Sequence, residues 1–210
     1  MTDGATARGG RADMVRNRRQ LLAAATEAFA ECGTEVSMGE IAQRAGIAKG
    51  TVFRHFPSKN DLLAAITVQL VDGLIAAADR LRTADDPVTA LREFMATGVE
   101  VLAADRAFCE VIGRPSLQLA EVRGAIDRLC ATVDDLTERA KVQGGLRADV
   151  TGTDIVLLLG GIHQTSLPLL ELDPQAWRRY LALALDGLCN TSATALPHPP
   201  PAPLREAPPA

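Results

Sequence analysis

The segment from Ser37 to Leu63 constrains the fold more than any other part of this chain. It reads Ser-Met-Gly-Glu-Ile-Ala-Gln-Arg-Ala-Gly-Ile-Ala-Lys-Gly-Thr-Val-Phe-Arg-His-Phe-Pro-Ser-Lys-Asn-Asp-Leu-Leu. Ser37 followed three residues later by Glu40 is a capping-box signature, which marks the start of a helix. Gly46 suits the left-handed backbone that ends one helix and turns into the next, and Pro57 ends the second helix. The segment therefore predicts two short helices joined by a glycine turn.

The second of these helices, from about Lys49 to His55, presents cations on one side. Val52 and Phe56 are four residues apart, so they share a face and should pack on the core of the domain. The positions left facing outward are Lys49, Thr51, Arg54 and His55. Lys and Arg suit phosphate or guanine O6 and N7, and Thr can offer a hydroxyl or a methyl to a base edge. This arrangement is typical of a helix-turn-helix that reads the major groove of DNA.

The segment resembles the N-terminal domain of the TetR (tetracycline repressor) family of bacterial transcription regulators. The resemblance covers Arg16 to about Leu63 and rests on the Ile-Ala-x-x-Ala-Gly turn, the Lys-Gly-Thr helix start and Phe-x-His-Phe-Pro-Ser-Lys, in that order. It implies DNA contacts by Lys49, Gly50, Thr51, Phe53, Arg54, His55 and Lys59.

Three positions depart from the family pattern. Phe53 stands where the family commonly has Tyr, so a phenol hydrogen bond to phosphate is lost. Ala48 stands where a Ser or Thr often caps the recognition helix, which weakens that cap by about 1 kcal/mol. Thr34 replaces a frequent aromatic residue.

The residues before the capping box are predicted to form an arm and a first helix. Residues 1–12 are mostly Gly, Ala, Arg and Thr without periodicity, which predicts a flexible basic arm. The first helix should run from about Met14 to Cys32. Arg16 and Arg18 near its start oppose the helix dipole, so phosphate contact is a natural reason for them, with solvated arginines as the alternative. Arg16, Arg18 and Ser37 complete the predicted DNA-binding set.

Charge and cysteine content narrow the class of protein. Residues 1–60 carry nine Lys/Arg and six Asp/Glu, whereas residues 61–210 carry 13 and 20. Positive charge is thus concentrated where phosphate would be met. The four cysteines are widely spaced without a C-x-x-C pair, which predicts reduced thiols, no metal and no cofactor. The longest apolar run, Ile155 to Ile162, is too short to span a bilayer and no signal core begins the chain, so we expect a cytoplasmic protein.

Apolar periodicity beyond the recognition helix predicts only helices. They are expected from Asp61 to about Leu81, from Asp86-Pro87, from Arg106 to Ile112, through Val122 to Gly144-Gly145, from Thr151 to about Leu170, and from Asp173-Pro174. The prediction is an all-α protein of about nine helices, with an N-terminal three-helix DNA-binding domain and a C-terminal helical ligand-binding and dimerisation domain. The predicted division is an arm at 1–12, the helix-turn-helix domain at 13–60, the effector-binding and dimerisation domain at 61–190, and a disordered Pro- and Ala-rich tail at 191–210.

The last two helices suggest a homodimer. The run Ile155–Ile162 is apolar around nearly its whole circumference, and Gly160 and Gly161 would let another helix approach closely. A thickly covered monomer core is the alternative. Two copies would give a four-helix interface, which is how proteins of the TetR family generally dimerise. The predicted interface residues are Leu158, Ile162, Trp177, Leu181, Leu185 and Leu188.

A small-molecule site is expected mainly because the resemblance implies one. The predicted lining residues are Phe94, Met95, Phe108, Arg114, Leu129 and His163, which combine apolar surface with few polar groups. Ordinary core packing is the alternative for each apolar residue. An enzyme is a rival class, since His163, Ser166 and Cys109 are reactive residue types, but no catalytic motif accompanies them. A helical interaction protein that has lost DNA binding is the other rival. The favoured interpretation is a repressor that binds a palindromic operator as a dimer and is released by a small apolar effector.

Overall fold

The computed structural model describes residues 4–104, 119–170, 172–189 and 192–200. Within these ranges the chain forms eight α-helices and no strand, which confirms the all-α prediction. The helices are α1 (Gly4–Cys32), α2 (Met38–Arg44), α3 (Lys49–His55), α4 (Lys59–Leu81), α5 (Pro87–Ala104), α6 (Ala120–Val142), α7 (Gly152–Ser166) and α8 (Trp177–Leu188). The predicted helix from Arg106 to Ile112, together with Cys109, lies outside the described residues.

The chain divides into two compact units within α4, after Thr67 rather than after residue 60. The reason is that the first turns of α4 belong to the N-terminal core, where Leu62, Leu63 and Ile66 are buried. Apolar periodicity continues through this point without a break, so the sequence pattern does not mark the division.

The core of the first unit is built from all four of its helices. Leu21, Ala25 and Phe29 of α1 pack with Ile41 of α2 and with Val52 of α3. Val52 and Phe56 are both buried, as their spacing predicts. This burial fixes which side of α3 faces outward.

Helix α1 begins at Gly4, well before the predicted start at Met14. Residues 4–12 are therefore helical rather than an irregular arm. Extending an existing helix is far easier than nucleating one, so the Ala and Arg residues of this stretch continue the helix despite its three glycines. These residues lack the apolar stripe from which a helix is predicted.

The second unit packs its helices closely at two glycines. A Cβ placed on Gly98 of α5 would lie 2.7 Å from Leu159 Cδ1 of α7. A Cβ on Gly152 would lie 2.4 Å from the carbonyl oxygen of Cys130, so the first turn of α7 lies directly on the backbone of α6. The predicted start of α7 is confirmed by a capping box in which the Thr151 N–H donates to Asp154 Oδ2 at 2.8 Å.

The ends of the last two helices differ from the prediction. Helix α7 ends at Ser166 and is followed by a 3₁₀ turn at Leu167–Leu169, which contains Pro168. Helix α8 begins at Trp177 rather than at the Asp173-Pro174 pair, which forms a turn before it. The prolines correctly mark where the helices are interrupted, but the residues beside them form turns rather than helices.

Helix α4 is long and apolar enough to cross a membrane by length and composition alone. In the structure 56% of its most apolar window is buried, as in a core helix of a soluble protein.

Part of the predicted disordered tail is held in place. The Arg147 side chain donates to the Thr194 carbonyl at 2.7 Å, and the Leu196 N–H donates to Asp149 Oδ2 at 2.9 Å. Composition predicted disorder because this segment buries little apolar surface, but two backbone hydrogen bonds to an ion pair fix it. Residues 201–210 lie outside the described residues.

Candidate nucleic-acid interface

The turn between α2 and α3 is built as the sequence predicts. The Glu40 N–H donates to Ser37 Oγ at 3.2 Å, and the Ser37 N–H donates to Glu40 Oε2 at 2.8 Å. Gly46 has φ +66°, a left-handed conformation that residues with a Cβ rarely adopt. The Ile47 N–H donates back to the Ala42 carbonyl at 3.0 Å, which closes the end of α2. These contacts set the angle at which α3 leaves α2.

The outward side of α3 carries the predicted reading residues. Lys49, Gly50 and Arg54 are exposed, and Thr51 and His55 are partly buried. Phe53 is 41% exposed, a large apolar ring on the same surface. Ala48 makes no side-chain cap, as its methyl group requires. The helix contains no Asp or Glu, so the whole exposed surface of α3 is neutral or positive.

Two of the reading residues form a pair. Arg54 Nη2 donates to Thr51 Oγ1 at 2.8 Å, one turn earlier on the helix. This bond holds the guanidinium over the outward face of α3, and the hydroxyl proton of Thr51 stays available to donate.

Cations from neighbouring helices lie over the two phenylalanines of the core. The Arg18 guanidinium lies 4.5 Å from the centroid of the Phe56 ring, and Lys59 Nζ lies 5.9 Å from that of Phe29. Both are cation–π distances. Arg18 thus contacts the ring at the end of α3, and its contact with phosphate stays a prediction. No sequence spacing could reveal these pairs, because the partners are far apart along the chain.

The other predicted contact residues lie beside the recognition helix. Arg16 forms an ion pair with Asp13 at 2.9 Å, so its charge is partly compensated. Ser37 is exposed, but its hydroxyl oxygen already accepts the cap hydrogen bond. Both stay predictions as DNA contacts.

The capping box makes the stability of the first unit depend on pH. Hydrogen bonds from the side chain and backbone of Ser37 lower the pKa of the Glu40 carboxyl. A lowered pKa gives stability that is present above the unfolded pKa and is lost as pH falls through the folded value. We expect Glu40→Gln to remove this contribution, because Gln keeps an acceptor oxygen but does not titrate.

Thermal unfolding of the parent and of Glu40→Gln from about pH 6 to about pH 3 measures this effect. The stability difference between them should shrink as pH falls. Ser37→Ala, which removes the partner, should cost about 1 kcal/mol at neutral pH. A parent and a Glu40→Gln variant with parallel pH profiles would contradict this role of the cap.

Four predicted effector residues are core residues of the second unit. Phe94, Met95, Leu129 and His163 are all buried. Burial also lowers the pKa of His163. These positions fit either alternative, a lined cavity or ordinary packing, so their role in ligand binding stays a prediction. Phe108 and Arg114 lie outside the described residues.

Most of the predicted dimer-interface residues are buried within their own subunit. They are Ile162, Trp177, Leu181, Leu185 and Leu188. These side chains pack α7 and α8 on each other and on neighbouring helices. We therefore correct the prediction: they belong to the subunit core. Only Leu158 of the predicted set is partly exposed.

The outward side of α7 and α8 forms an apolar groove of about 440 Å³, which we call the α7–α8 groove. Its lining includes Leu157, Leu158, Gly161, Ala184, Gly187 and Leu196. Leu157 is 52% exposed, and Leu183, which precedes Ala184 in α8, is 59% exposed. Leu158 and Leu188 of the predicted interface set line this groove, and a role of the groove in dimerisation stays a prediction.

Comparison with known proteins identifies the family. A family model described as "Bacterial regulatory proteins, tetR family" matches residues 21–66. One described as "Transcriptional regulator SbtR-like, C-terminal domain" matches residues 86–190, half of the chain. The chain belongs to the TetR family. The resemblance noted in the sequence is confirmed, and the matching relatives are transcription regulators, which favours that class of protein over the enzyme alternative.

The individual relatives that match this chain are also transcription regulators. The crystal structure of the TetR transcription regulatory protein from Mycobacterium vanbaalenii matches with a TM-score of 0.60 and a sequence identity of 34%. The match covers 85% of this chain and 98% of that one. The transcriptional activator FasR of Mycolicibacterium smegmatis is 40% identical over 91 residues, 42% of each chain. The regulator RutR of Escherichia coli is 28% identical over 137 residues, 61% of this chain and 65% of RutR. The chain thus spans less than two thirds of these two curated relatives.

Proposed function

We propose that this TetR-family protein represses transcription by binding a palindromic operator as a homodimer, and that a small apolar effector releases it. The observation that carries the DNA-binding part is the outward face of α3. Lys49, Thr51 and Arg54 project from a helix whose opposite side is locked into the core by Val52 and Phe56. That face carries hydrogen-bond donors and positive charge, which suit phosphates and base edges in the major groove.

The α7–α8 groove supports the homodimer. Leu157 and Leu183 expose large apolar surface beside it, and contiguous exposed apolar surface is typical of an association site. At Gly161 and Gly187 an added Cβ would meet no other described atom within 4 Å, so packing inside the subunit does not require glycine there. Close approach of a second copy of the chain would require glycine at these two positions. Two reading heads also match the two half-sites of a palindrome.

Both signs of regulation occur among the relatives. FasR is named an activator, and LfrR of Mycolicibacterium smegmatis, 37% identical over 75 residues, is named a repressor. We infer repression because a dimer seated on an operator excludes other proteins from the DNA that it covers. The site of action would be the cytoplasm, where bacterial DNA is accessible.

Effector release would act through α4. This helix begins at Lys59, shortly after α3 ends at His55, and continues as one element to Leu81. In the second unit Asp72 of α4 pairs with Arg128 of α6 at 3.3 Å, so α6 is positioned to pull on the far half of α4. A ligand that shifts these helices would move the reading head, because α4 is continuous.

A screen of apolar metabolites against the purified protein tests the sensing part. An effector should raise the melting temperature and lower operator affinity by roughly 5- to 150-fold, the range of typical allosteric couplings of about 1 to 3 kcal/mol. Because Phe94 is fully buried, a charged replacement would unfold the protein, so Phe94→Leu is the variant to use. It should change the response and leave operator binding intact. A broad panel in which no compound shifts either quantity would contradict effector release.

A further inference from the structure

The C-terminal segment from Ser192 to Leu196 is fastened to the second unit by an ion pair. Arg147 Nε donates to Asp149 Oδ1 at 2.6 Å, and Arg147 Nη2 donates to Asp149 Oδ2 at 2.9 Å. The same Nη2 donates to the Thr194 carbonyl, and the same Oδ2 accepts the Leu196 N–H. The pair thus binds two backbone groups of the segment at once. We call this arrangement the tail clamp.

The tail clamp is rigidly connected to the end of α8. The backbone N–H of Arg147 donates to the Leu188 carbonyl in the last turn of that helix at 3.0 Å. The Arg147 side chain is largely buried, and bidentate Arg–carboxylate geometry is both strong and directional. The hydrogen bonds of Arg147 and of the Leu196 N–H also hold the pKa of Asp149 well below its usual range, so the acceptor stays ionised.

The clamp places Leu196 at the α7–α8 groove. Its side chain lines the groove together with Leu157, Leu158 and Ala184. At 44% exposed, it offers apolar surface outward as well as toward the groove. A molecule that covers the groove would therefore contact Leu196.

We propose that the clamped segment 192–196 is a third element of the dimer interface, and that Leu196 of each subunit is covered by the second copy of the chain. This inference rests on the homodimer proposed above. The occupant is a second copy because Leu196 lines the same groove as the exposed Leu157, the apolar surface through which the subunits would associate.

A displaced tail is the opposite arrangement, in which the segment must leave before the second copy docks. The clamp argues against it. Release would break two backbone hydrogen bonds and leave a half-buried Arg–carboxylate pair without the groups it binds, whereas the exposed part of Leu196 can be covered without breaking any of these contacts.

The test compares dimer dissociation constants by sedimentation equilibrium of the full chain. Leu196→Asp should raise the dimer Kd by about tenfold or more, because the charge enters a symmetric interface twice. Asp149→Ala, which opens the clamp at a distance from the groove, should raise it by about three- to tenfold. In the parent, hydrogen exchange of the Leu196 amide should be slow, and Asp149→Ala should make it fast.

Two matched controls separate this effect from loss of charge or apolar area. Asp72→Ala removes an exposed carboxylate from a different Arg pair, and Leu172→Asp places the same charge on an 86% exposed leucine that does not line the groove. Both should keep the parent Kd. Circular dichroism melts verify that each variant is folded.

The outcomes are distinct. A dimeric parent whose Kd is unchanged or lowered in both Leu196→Asp and Asp149→Ala would overturn the role of the tail while leaving the homodimer standing. A parent that is monomeric at micromolar concentration would overturn the homodimer and this inference together.

Discussion

Leu183→Glu is expected to convert the proposed dimer into monomers. Leu183 is 59% exposed in the subunit and precedes Ala184 of the α7–α8 groove, so a second copy would bury it. A carboxylate buried without a partner is costly, and a symmetric dimer would contain two. A penalty of about 3 kcal/mol or more raises the dimer Kd by more than about a hundredfold. Sedimentation velocity at micromolar concentration measures the change directly.

Operator affinity should fall with the dimer. Fluorescence anisotropy on a palindromic duplex should show weak binding by Leu183→Glu, because each monomer can hold only one half-site. Leu172→Glu, at an exposed leucine outside the groove, should behave as the parent does. Leu181→Glu should unfold the subunit, since that side chain is buried in the core. A Leu183→Glu protein that keeps the parent's sedimentation and operator affinity would place the interface elsewhere.

Arg54→Ala should weaken operator binding by about 1 to 3 kcal/mol, with the loss confined to particular base pairs. Arg54 is exposed on α3 and is held over its outward face by the bond to Thr51. Arg54→Lys keeps the charge but loses the fork of donors, so it should lose discrimination at the same base pairs while it keeps most of the salt dependence.

Titration of each variant against single-base operator variants at fixed salt measures both effects. Arg44→Ala is the matched control, because Arg44 is an exposed cation of the same unit that pairs with Glu31 at 2.7 Å and is not on α3. It should bind as the parent does. A uniform loss across all operator variants would make Arg54 a phosphate contact rather than a base reader.

The helix-turn-helix could be predicted from sequence because its determinants are local. The Ser37–Glu40 cap spans four residues, the turn depends on the backbone of Gly46, and the burial of Val52 and Phe56 follows from their spacing. Each of these signals operates within one helical turn, so the sequence contains the whole argument.

The face of α7 and α8 that is free to meet a partner could not be predicted in the same way. Periodicity shows that Leu181 and Leu185 share a buried face, but it does not say whether the covering surface belongs to the same subunit or to a partner. In the structure that face is core, and the exposed apolar residues Leu157 and Leu183 lie on the other side. Deciding between the faces requires the packing of neighbouring helices.

Contacts between residues that are distant in sequence could not be predicted either. Arg18 lies over Phe56, and Arg147 binds the backbone of Thr194 across 47 residues. Composition made the tail look disordered, because a Pro- and Ala-rich stretch has little to bury. In the structure, two hydrogen bonds to the Arg147–Asp149 ion pair hold the first described residues of this tail in place.

Selection of DNA by the purified 210-residue chain from a random duplex pool tests the central claim most directly. We expect an enriched inverted repeat whose half-sites are separated by about 10 base pairs, one turn of DNA. Replacing Lys49 and Arg54 together should abolish the enrichment. Recovery of no common sequence, with affinity for the selected pool equal to that for random DNA at the same salt, would contradict the assignment of this protein as an operator-binding regulator.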